Sequence, residues 1–203
     1  MAYMEKITLI ALVFVALLLA ASCAQNNALS YEKGIKKIQA YDLQYGTAME
    51  SVPTTIANIT ALHQQLLGMK AANDVDPALA LLLDYRIAML DAKIRYEEGW
   101  KYGRQGTTVF GFGCSGMYTK VIESSDLRNQ SAAKGQVAVE MLQQFIDTNP
   151  EKAKTLNLTQ RDVLALKTIY FGIQEQAEKD RKTIIFFCQD KVNQTMHNGT
   201  ETA

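Results

Sequence analysis

The stretch DPALALLLDYRIAMLDAKIRYEEGWKYG, residues 76–103, has the pattern of one long amphipathic helix. Asp76 supplies a capping side chain, and Pro77 has the fixed φ that suits the first helical position. Two adjacent apolar stripes run along the segment, and so wide an apolar arc predicts neighbours on more than one side. We therefore expect this helix to be the central one of a bundle. The stripes consist of Leu79, Leu83, Ile87, Leu90 and Ile94, and of Tyr85, Met89, Ala92, Tyr96 and Trp100.

The chain before this helix predicts two shorter helices that form a hairpin. The first extends from a cap at Ser30 to about Ser51, and its apolar residues recur at spacings of three and four. The second begins at Pro53 and has the same periodicity, with His63 beside its apolar stripe. Only His197 is available as a second histidine, so we interpret His63 as a packed or surface residue rather than a metal ligand.

The chain beyond residue 116 predicts further long helices. Residues 117–147 form one long helix, or two that are broken at the Ser-Ser-Asp of residues 124–126. The last helix begins after Thr159, which has the spacing of a capping box with Asp162, and it ends near Val192.

The prolines and the lack of strand patterns together give the fold class. Each proline stands where a helical pattern begins, and no segment alternates β-branched with polar residues over a sustained run. The prediction is an all-α bundle of about five helices: a short N-terminal hairpin and three long helices that run up, down and up. The three prolines are Pro53, Pro77 and Pro150.

Residues 106–116 are rich in glycine, and we expect them to be the one loop of the bundle. Gly111–Gly116 matches the pattern G-x-G-x-x-G, which binds dinucleotides only between the strand and helix of a βαβ unit. No βαβ pattern surrounds it here, so no cofactor is expected. The preferred interpretation is a tight turn that positions Cys114 and packs Phe110 and Phe112 onto the bundle end.

The first residues have the layout of an export signal. Lys6 gives a positively charged start, and residues 7–21 are apolar except for Thr8. This run is shorter than the roughly 20 residues of a membrane-spanning helix. It indicates that the rest of the chain faces outward from the cell.

The end of this leader, Ala21-Ser22-Cys23, resembles the lipobox of prokaryotic lipoproteins. That family usually has leucine three residues before the cysteine, where this chain has Ala20. The resemblance covers the leader only, and it implies that Cys23 is lipidated and anchors the protein in the membrane. The alternative is ordinary cleavage after Ser22 or Ala24, which would release a soluble secreted protein.

The cysteine count predicts one disulfide bond. If Cys23 carries lipid, Cys114 and Cys188 remain as an even pair in an oxidising compartment. The up-down-up order of the three long helices also brings the end of the last one beside the loop after the first. The alternative is a pair of buried free thiols.

Asparagines in N-x-S/T sequons are more frequent than chance predicts. Five of nine asparagines have this motif, where the serine and threonine content predicts about one. The motif marks glycan acceptors on exported surfaces. The combination of a lipobox with sequons resembles archaeal surface proteins, which commonly have both. The sequon asparagines are Asn58, Asn129, Asn157, Asn193 and Asn198.

Composition and motifs exclude several classes of function. Lys+Arg and Asp+Glu both number 21, so no charge excess indicates a nucleic-acid partner. The chain has no H-E-x-x-H, E-x-x-H, C-x-x-C or G-x-S-x-G motif, and Glu97 and Glu98 diverge by about 100° on a helix. The sequence therefore predicts no catalysis and no metal site.

Two functional hypotheses follow. The first is an anchored helical bundle with a structural or protein-interaction role at the cell surface, partnered by the membrane and a surface protein. The second is an extracytoplasmic module that binds a small ligand or an envelope component in a cleft lined by Tyr96, Trp100, Phe110 and Phe112. Both assume a leader at residues 1–23, a spacer at 24–29, a bundle at 30–192 and a flexible polar tail at 193–203.

Overall fold

The computed structural model describes residues 28–45, 55–108 and 113–198 of the chain, and it confirms an all-α bundle. The leader with Cys23, together with Pro53, Phe110 and Phe112, lies outside these residues. The described residues form six helices, and one isolated β-bridge joins Leu29 to Val75 in the segments between them. The helices are α1 (Tyr31–Tyr45), α2 (Ile56–Lys70), α3 (Pro77–Thr108), α4 (Gly113–Thr148), α5 (Pro150–Thr155) and α6 (Gln160–Asn198).

The long helices α3, α4 and α6 run up, down and up as predicted, but α4 lies between the other two. The central position therefore belongs to α4 as much as to α3, which packs against α4, α2 and α1. The apolar stripes of α3 were correctly identified, since Leu79, Leu83 and Leu90 are fully buried. Sequence periodicity showed that α3 has several neighbours without showing which ones.

Three of the four predicted helix starts are confirmed, the first being that of α1, where Ser30 Oγ accepts a hydrogen bond from Lys33 N–H at 3.5 Å. Asp76 Oδ1 accepts hydrogen bonds from the backbone N–H groups of Ala78 and Leu79, at 2.9 and 3.1 Å. Thr159 N–H and the Thr159 hydroxyl both donate to Asp162 Oδ2 at 2.7 Å, so one of the two bonds of the predicted capping box is present at the start of α6. The predicted start of α2 at Pro53 is wrong, because Thr55 caps that helix and α2 begins at Ile56.

Of the two alternatives for residues 117–147, the single helix is correct: α4 is continuous, and the break near residues 124–126 is absent. Ser124 and Ser125 are buried, and their hydroxyl groups donate to backbone carbonyls of the flanking helices. Ser124 Oγ lies 2.7 Å from Gly99 O of α3, and Ser125 Oγ lies 2.6 Å from Ala177 O of α6. These serines favour turns only when they bond to their own backbone. Here the partners are on neighbouring helices, so the serines join helices instead of ending one.

The predicted loop at residues 106–116 is also shorter than expected. α3 continues through Thr108 and α4 begins at Gly113, so helix occupies both ends of that stretch. The tight packing of α3 against α4 outweighs the low helix propensity of the glycines. In the same way α6 continues past Val192 to Asn198, into the predicted polar tail.

The apolar core is concentrated in one half of the bundle, where all six helices contribute. Its largest fully buried members come from α2, α3, α4 and α6. Tyr170 is buried there, and its hydroxyl donates to Met89 Sδ at 3.3 Å. Burial raises the pKa of Tyr170 to about 12, and burial also raises the pKa of Tyr85. Fully buried core side chains include Ile59, Leu62, Leu66, Leu79, Leu83, Tyr85, Leu90, Leu142, Phe145 and Val163.

The helices of this half approach closely at two glycines. A Cβ atom on Gly135 of α4 would overlap the ring of Tyr170 on α6, and a Cβ atom on Gly34 of α1 would overlap the side chain of Leu79. Both glycines are buried within helices, where glycine costs about 1 kcal/mol against alanine. Close approach between helices explains their presence.

Candidate functional site

The other half of the bundle contains α3, α4 and α6 and is closed by a disulfide bond between Cys114 and Cys188. Their Cα atoms lie 5.6 Å apart, within the usual range for a bridge. The bond joins the start of α4 to the late part of α6, as the helix order predicted. The pair therefore fixes the two helices beside the stretch that contains Trp100.

A groove of about 530 Å³ lies beside this disulfide. Trp100 of α3 forms one wall, Met117 and Val121 of α4 form the base, and Ile184 and Phe187 of α6 form the other wall. Its volume is within the range of about 300–1,000 Å³ that small-molecule sites occupy. The rest of the lining consists of Gly103, both cysteines and the hydroxyl residues Ser124 and Thr183, with Arg128 and Asp180 at one end.

The charged end of the groove is internally neutralised. Arg128 Nη2 lies 2.6 Å from Asp180 Oδ2, and only 8% of the arginine side chain is exposed. Gln176 Nε2 donates to the other carboxylate oxygen of Asp180 at 2.7 Å, and Arg128 Nε donates to Ser124 O at 3.4 Å. A guanidinium and a carboxylate that are paired in this way leave no net charge, so the groove suits an uncharged apolar molecule.

The structure brings together only part of the predicted binding set. Trp100 lines the groove and is 45% exposed, whereas Tyr96 is half-buried elsewhere and does not line it. Phe110 and Phe112 lie outside the described residues. Met117, Val121 and Phe187 were not predicted from the sequence. The i, i+4 spacing of Met117 with Val121, beside a cysteine already paired with Cys188, was a signal for the first two.

A second, polar groove of about 850 Å³ lies between α3, α4 and the start of α2. Its charges pair locally, because Arg95 lies 2.9 Å from Glu98 and Lys120 lies 3.3 Å from Glu123. Each pair is three residues apart on one exposed helix face, which is the common arrangement of a solvated surface. We assign no chemistry to this groove.

His63 is half-buried and lies against Asp91 of α3, with 2.9 Å between Nε2 and Oδ1. The ring N–H is not aligned with that oxygen for hydrogen bonding. Within the described ranges, no group of three or more histidine, cysteine or acidic side chains converges in a way that could hold a metal ion.

The sequon asparagines differ in accessibility. Asn58 lies exposed in the first turn of α2, and Asn157 lies exposed between α5 and α6 with φ of 55°. Asn129 is half-buried between α4 and α6, where its Nδ2 donates to Glu178 Oε1 at 3.1 Å. The side chains of Asn193 and Asn198 lie outside the described part of the chain. Solvent exposure therefore distinguishes Asn58 and Asn157, which are exposed, from Asn129, which is half-buried.

One face of α6 exposes large apolar side chains to solvent. We call this face the outer stripe, and its members are Leu164, Phe171, Ile185 and Phe186. Phe171 is 66% exposed and Phe186 is 77% exposed. The adjoining face of the helix, about 100° away, carries Tyr170, Ala177 and Ile184, which are buried. α6 thus has apolar residues on two sides, of which the bundle covers one.

Comparison with known protein families, with curated proteins and with solved structures gives no match to this chain. Among the residues that the structure describes, no helix has both the length and the apolar composition needed to cross a bilayer.

Proposed function

We propose that this chain is a lipid-anchored, outward-facing helical bundle that acts at the cell surface by binding another protein, without catalysis. The observation that carries the interaction role is the outer stripe of α6. Four large apolar side chains are exposed along one helix face, and Phe171 and Phe186 are among the most exposed apolar residues described. Apolar groups arranged in this way commonly mark protein–protein contacts.

The position of Leu29 supports the anchored part of the proposal. Leu29 is fixed to the α2–α3 loop, since its N–H donates to Asp74 O and its carbonyl accepts from Asp76 N–H, both at 3.1 Å. Cys23 lies six positions before Leu29 in the sequence. An extended chain of that length reaches about 20 Å, so a lipid at Cys23 would hold this end of the bundle near the bilayer.

The same geometry would present the far end outward. Trp100 follows Pro77 along α3 by 23 residues, or about 34 Å at 1.5 Å per residue. The disulfide and the last part of the outer stripe lie at that end, away from Leu29. A surface protein would gain from a covalent bridge at its exposed end, because few residues there belong to the large apolar core.

The experiment compares the native chain with a Cys23→Ser variant in cells of the source organism. We expect the native protein in the membrane fraction, where protease added to intact cells digests it. The variant should fold equally well and appear in a soluble extracytoplasmic fraction. Equal membrane association of both proteins, or protection of the native chain from external protease, would contradict the proposal.

A second candidate function is the binding of a small uncharged apolar ligand, which the groove beside Trp100 favours. Trp100 is the single tryptophan of the chain, so its emission reports on this site alone. Titration with a neutral apolar probe such as N-phenylnaphthylamine should shift that emission saturably. A Val121→Phe variant should fill the groove and abolish the shift while the helical circular dichroism stays unchanged. A shift that is linear in probe concentration would remove this candidate.

A further inference from the structure

The outer stripe of α6 carries charged residues as well as apolar ones. Glu175 and Lys182 lie between Phe171 and Phe186, four residues from one or the other, so all four share one helix face. Glu175 and Lys182 are exposed, and neither pairs with an oppositely charged side chain in the described part of the chain. The stripe thus offers an apolar group, an anion, a cation and an apolar group in that order.

When two copies of this face lie antiparallel, each charge meets a charge of the opposite sign and each phenylalanine meets a phenylalanine. Around the midpoint between Glu178 and Lys179, position 171 corresponds to 186 and position 175 corresponds to 182. In an antiparallel pair of α6 helices, Phe171 of each chain would meet Phe186 of the other, and Glu175 of each would meet Lys182 of the other. A twofold axis generates every such contact twice.

A parallel pair would have the opposite electrostatics. It would place Glu175 against Glu175 and Lys182 against Lys182, and like charges at facing helix positions are destabilising. The charge order therefore selects one orientation and one register.

We propose that the outer stripe binds the outer stripe of a second copy of this chain, forming an antiparallel α6–α6 homodimer. This inference rests on the proposed function, since it names the protein that the exposed face of α6 binds. The contact is isologous, so it closes after two copies and does not extend into a filament.

α6 is long enough to supply a large part of such an interface. The helix spans residues 160–198, and its centre lies next to the proposed axis, so the two helices overlap along their length. A pair of helices uses about four positions in seven at its seam, which gives about 17 of the 29 residues in 160–188, whose side chains the structure describes. Stable interfaces use about 20–30 residues from each partner, so α6 alone supplies most of that number.

The neighbouring charges are compatible with this register. Glu178 faces Lys179 of the second copy across the axis, and it already accepts a hydrogen bond from Asn129 of its own α4 at 3.1 Å. The carboxylate can hold both partners because it has two oxygens. Gly172 would face Ile185 of the second copy. There is space for that side chain, because no atom lies within 4 Å of the position where a Cβ on Gly172 would be.

The test is sedimentation equilibrium of the full-length protein in density-matched detergent, with circular dichroism to verify that each variant folds. The native protein should be a dimer. Phe171→Glu should raise the dissociation constant by about 30-fold or more, because it places a charge on a central aromatic contact. Leu43→Glu is the matched control, since Leu43 is 90% exposed on α1, and it should leave the dimer unchanged.

Charge exchange gives the specific signature of the register. Glu175→Lys and Lys182→Glu should each weaken the dimer by about 10-fold, because each creates two like-charge contacts. The double variant Glu175→Lys/Lys182→Glu should restore the native dissociation constant within about threefold. If the double variant loses as much binding free energy as the two single variants lose together, the register is wrong.

A monomeric native protein would overturn the dimer. A photo-crosslinking residue at position 186 in the native membrane then separates the two proposals. An adduct with a different protein would leave the interaction function standing with another partner. A monomeric protein that gives no adduct would remove the interaction function as well.

Discussion

Cys114 and Cys188 are separated by 74 positions in sequence, yet their Cα atoms lie 5.6 Å apart where α4 and α6 meet. This contact closes the half of the bundle that has few residues in the large core. The disulfide therefore stabilises the part of the molecule that contains both the groove and the end of the outer stripe.

Removal of the disulfide should cost a large part of the folding free energy. The chain-entropy model gives about 4 kcal/mol for a loop of this length. We expect a Cys114→Ser/Cys188→Ser variant to unfold at correspondingly lower urea, and the native protein to behave like the variant after reduction. An unchanged urea midpoint after full reduction would show that the bridge does not constrain the chain.

The Arg128–Asp180 ion pair at the end of the groove should stabilise the fold more than the exposed Arg181–Asp126 pair beside it. Asp180→Ala leaves the buried guanidinium of Arg128 without its anion, and we expect a loss of about 2–4 kcal/mol. Asp126→Ala is the matched control, because Arg181 lies 2.6 Å from Asp126 across the same two helices but is 40% exposed. It should cost less than about 1 kcal/mol. Equal losses of unfolding free energy in urea would contradict this assignment.

Gly135 should not tolerate a methyl group. Gly135→Ala introduces a Cβ that overlaps the ring of Tyr170, so we expect destabilisation of about 2 kcal/mol or more despite the better helix propensity of alanine. Gly68→Ala is the control, since no atom lies within 4 Å of the position that its Cβ would occupy. It should stabilise the protein by up to about 1 kcal/mol. Thermal unfolding of both variants measures the difference, and a neutral Gly135→Ala would contradict the packing of α4 on α6.

Stability should fall at alkaline pH because of the buried tyrosines. Burial raises the pKa of Tyr170 to about 12, while a tyrosine in the unfolded chain titrates near 10. The contribution of the neutral phenol is therefore complete below about pH 10 and is lost as the pH rises towards 12. Tyr170→Phe should reduce the slope of unfolding free energy against pH in that window by about 1.4 kcal/mol per pH unit. Identical slopes for both proteins would show that Tyr170 is accessible to water.

Glycan occupancy should follow the geometry of the sequons, if modification acts on the folded chain. We expect glycopeptides that contain Asn58 and Asn157, because both side chains are exposed. Asn129 should be unmodified, since its amide bonds to Glu178 and its Oδ1 is buried. Mass spectrometry of proteolytic peptides gives the occupancy of each site. A glycan at Asn129 would contradict the contact between α4 and α6.

The sequence predicts most of the fold because periodicity and capping act locally. The apolar stripes of α3, the caps at Asp76 and Thr159, and the pairing of Cys114 with Cys188 all follow from short-range patterns and helix order. The extent of the glycine-rich loop was predicted wrongly, and whether the helix is broken at residues 124–126 was left open. In both cases contacts between helices, such as the bond from Ser125 to Ala177, outweigh local preference.

The candidate surfaces were harder to predict for a related physical reason. Trp100 was identified as a binding residue because aromatic residues near arginines are common anchors. Phe187 and Phe186 follow each other on α6, and their rings meet at 5.7 Å with an interplanar angle of 77°. Phe187 lines the groove while remaining 71% exposed, and Phe186 lies outside the groove at 77% exposed; this division depends on how α6 is rotated against α4. Sequence periodicity gives that rotation only once the packing partner is known.

The central claim is that the mature chain is anchored through Cys23 and carries a disulfide at its outer end. Intact mass of the protein from its native membrane fraction, measured with and without reductant, tests it most directly. We predict a chain that begins at Cys23 with added lipid and that gains two protons on reduction. A chain that begins at an unlipidated Cys23 or at Gln25, with a mass unaffected by reductant, would contradict it.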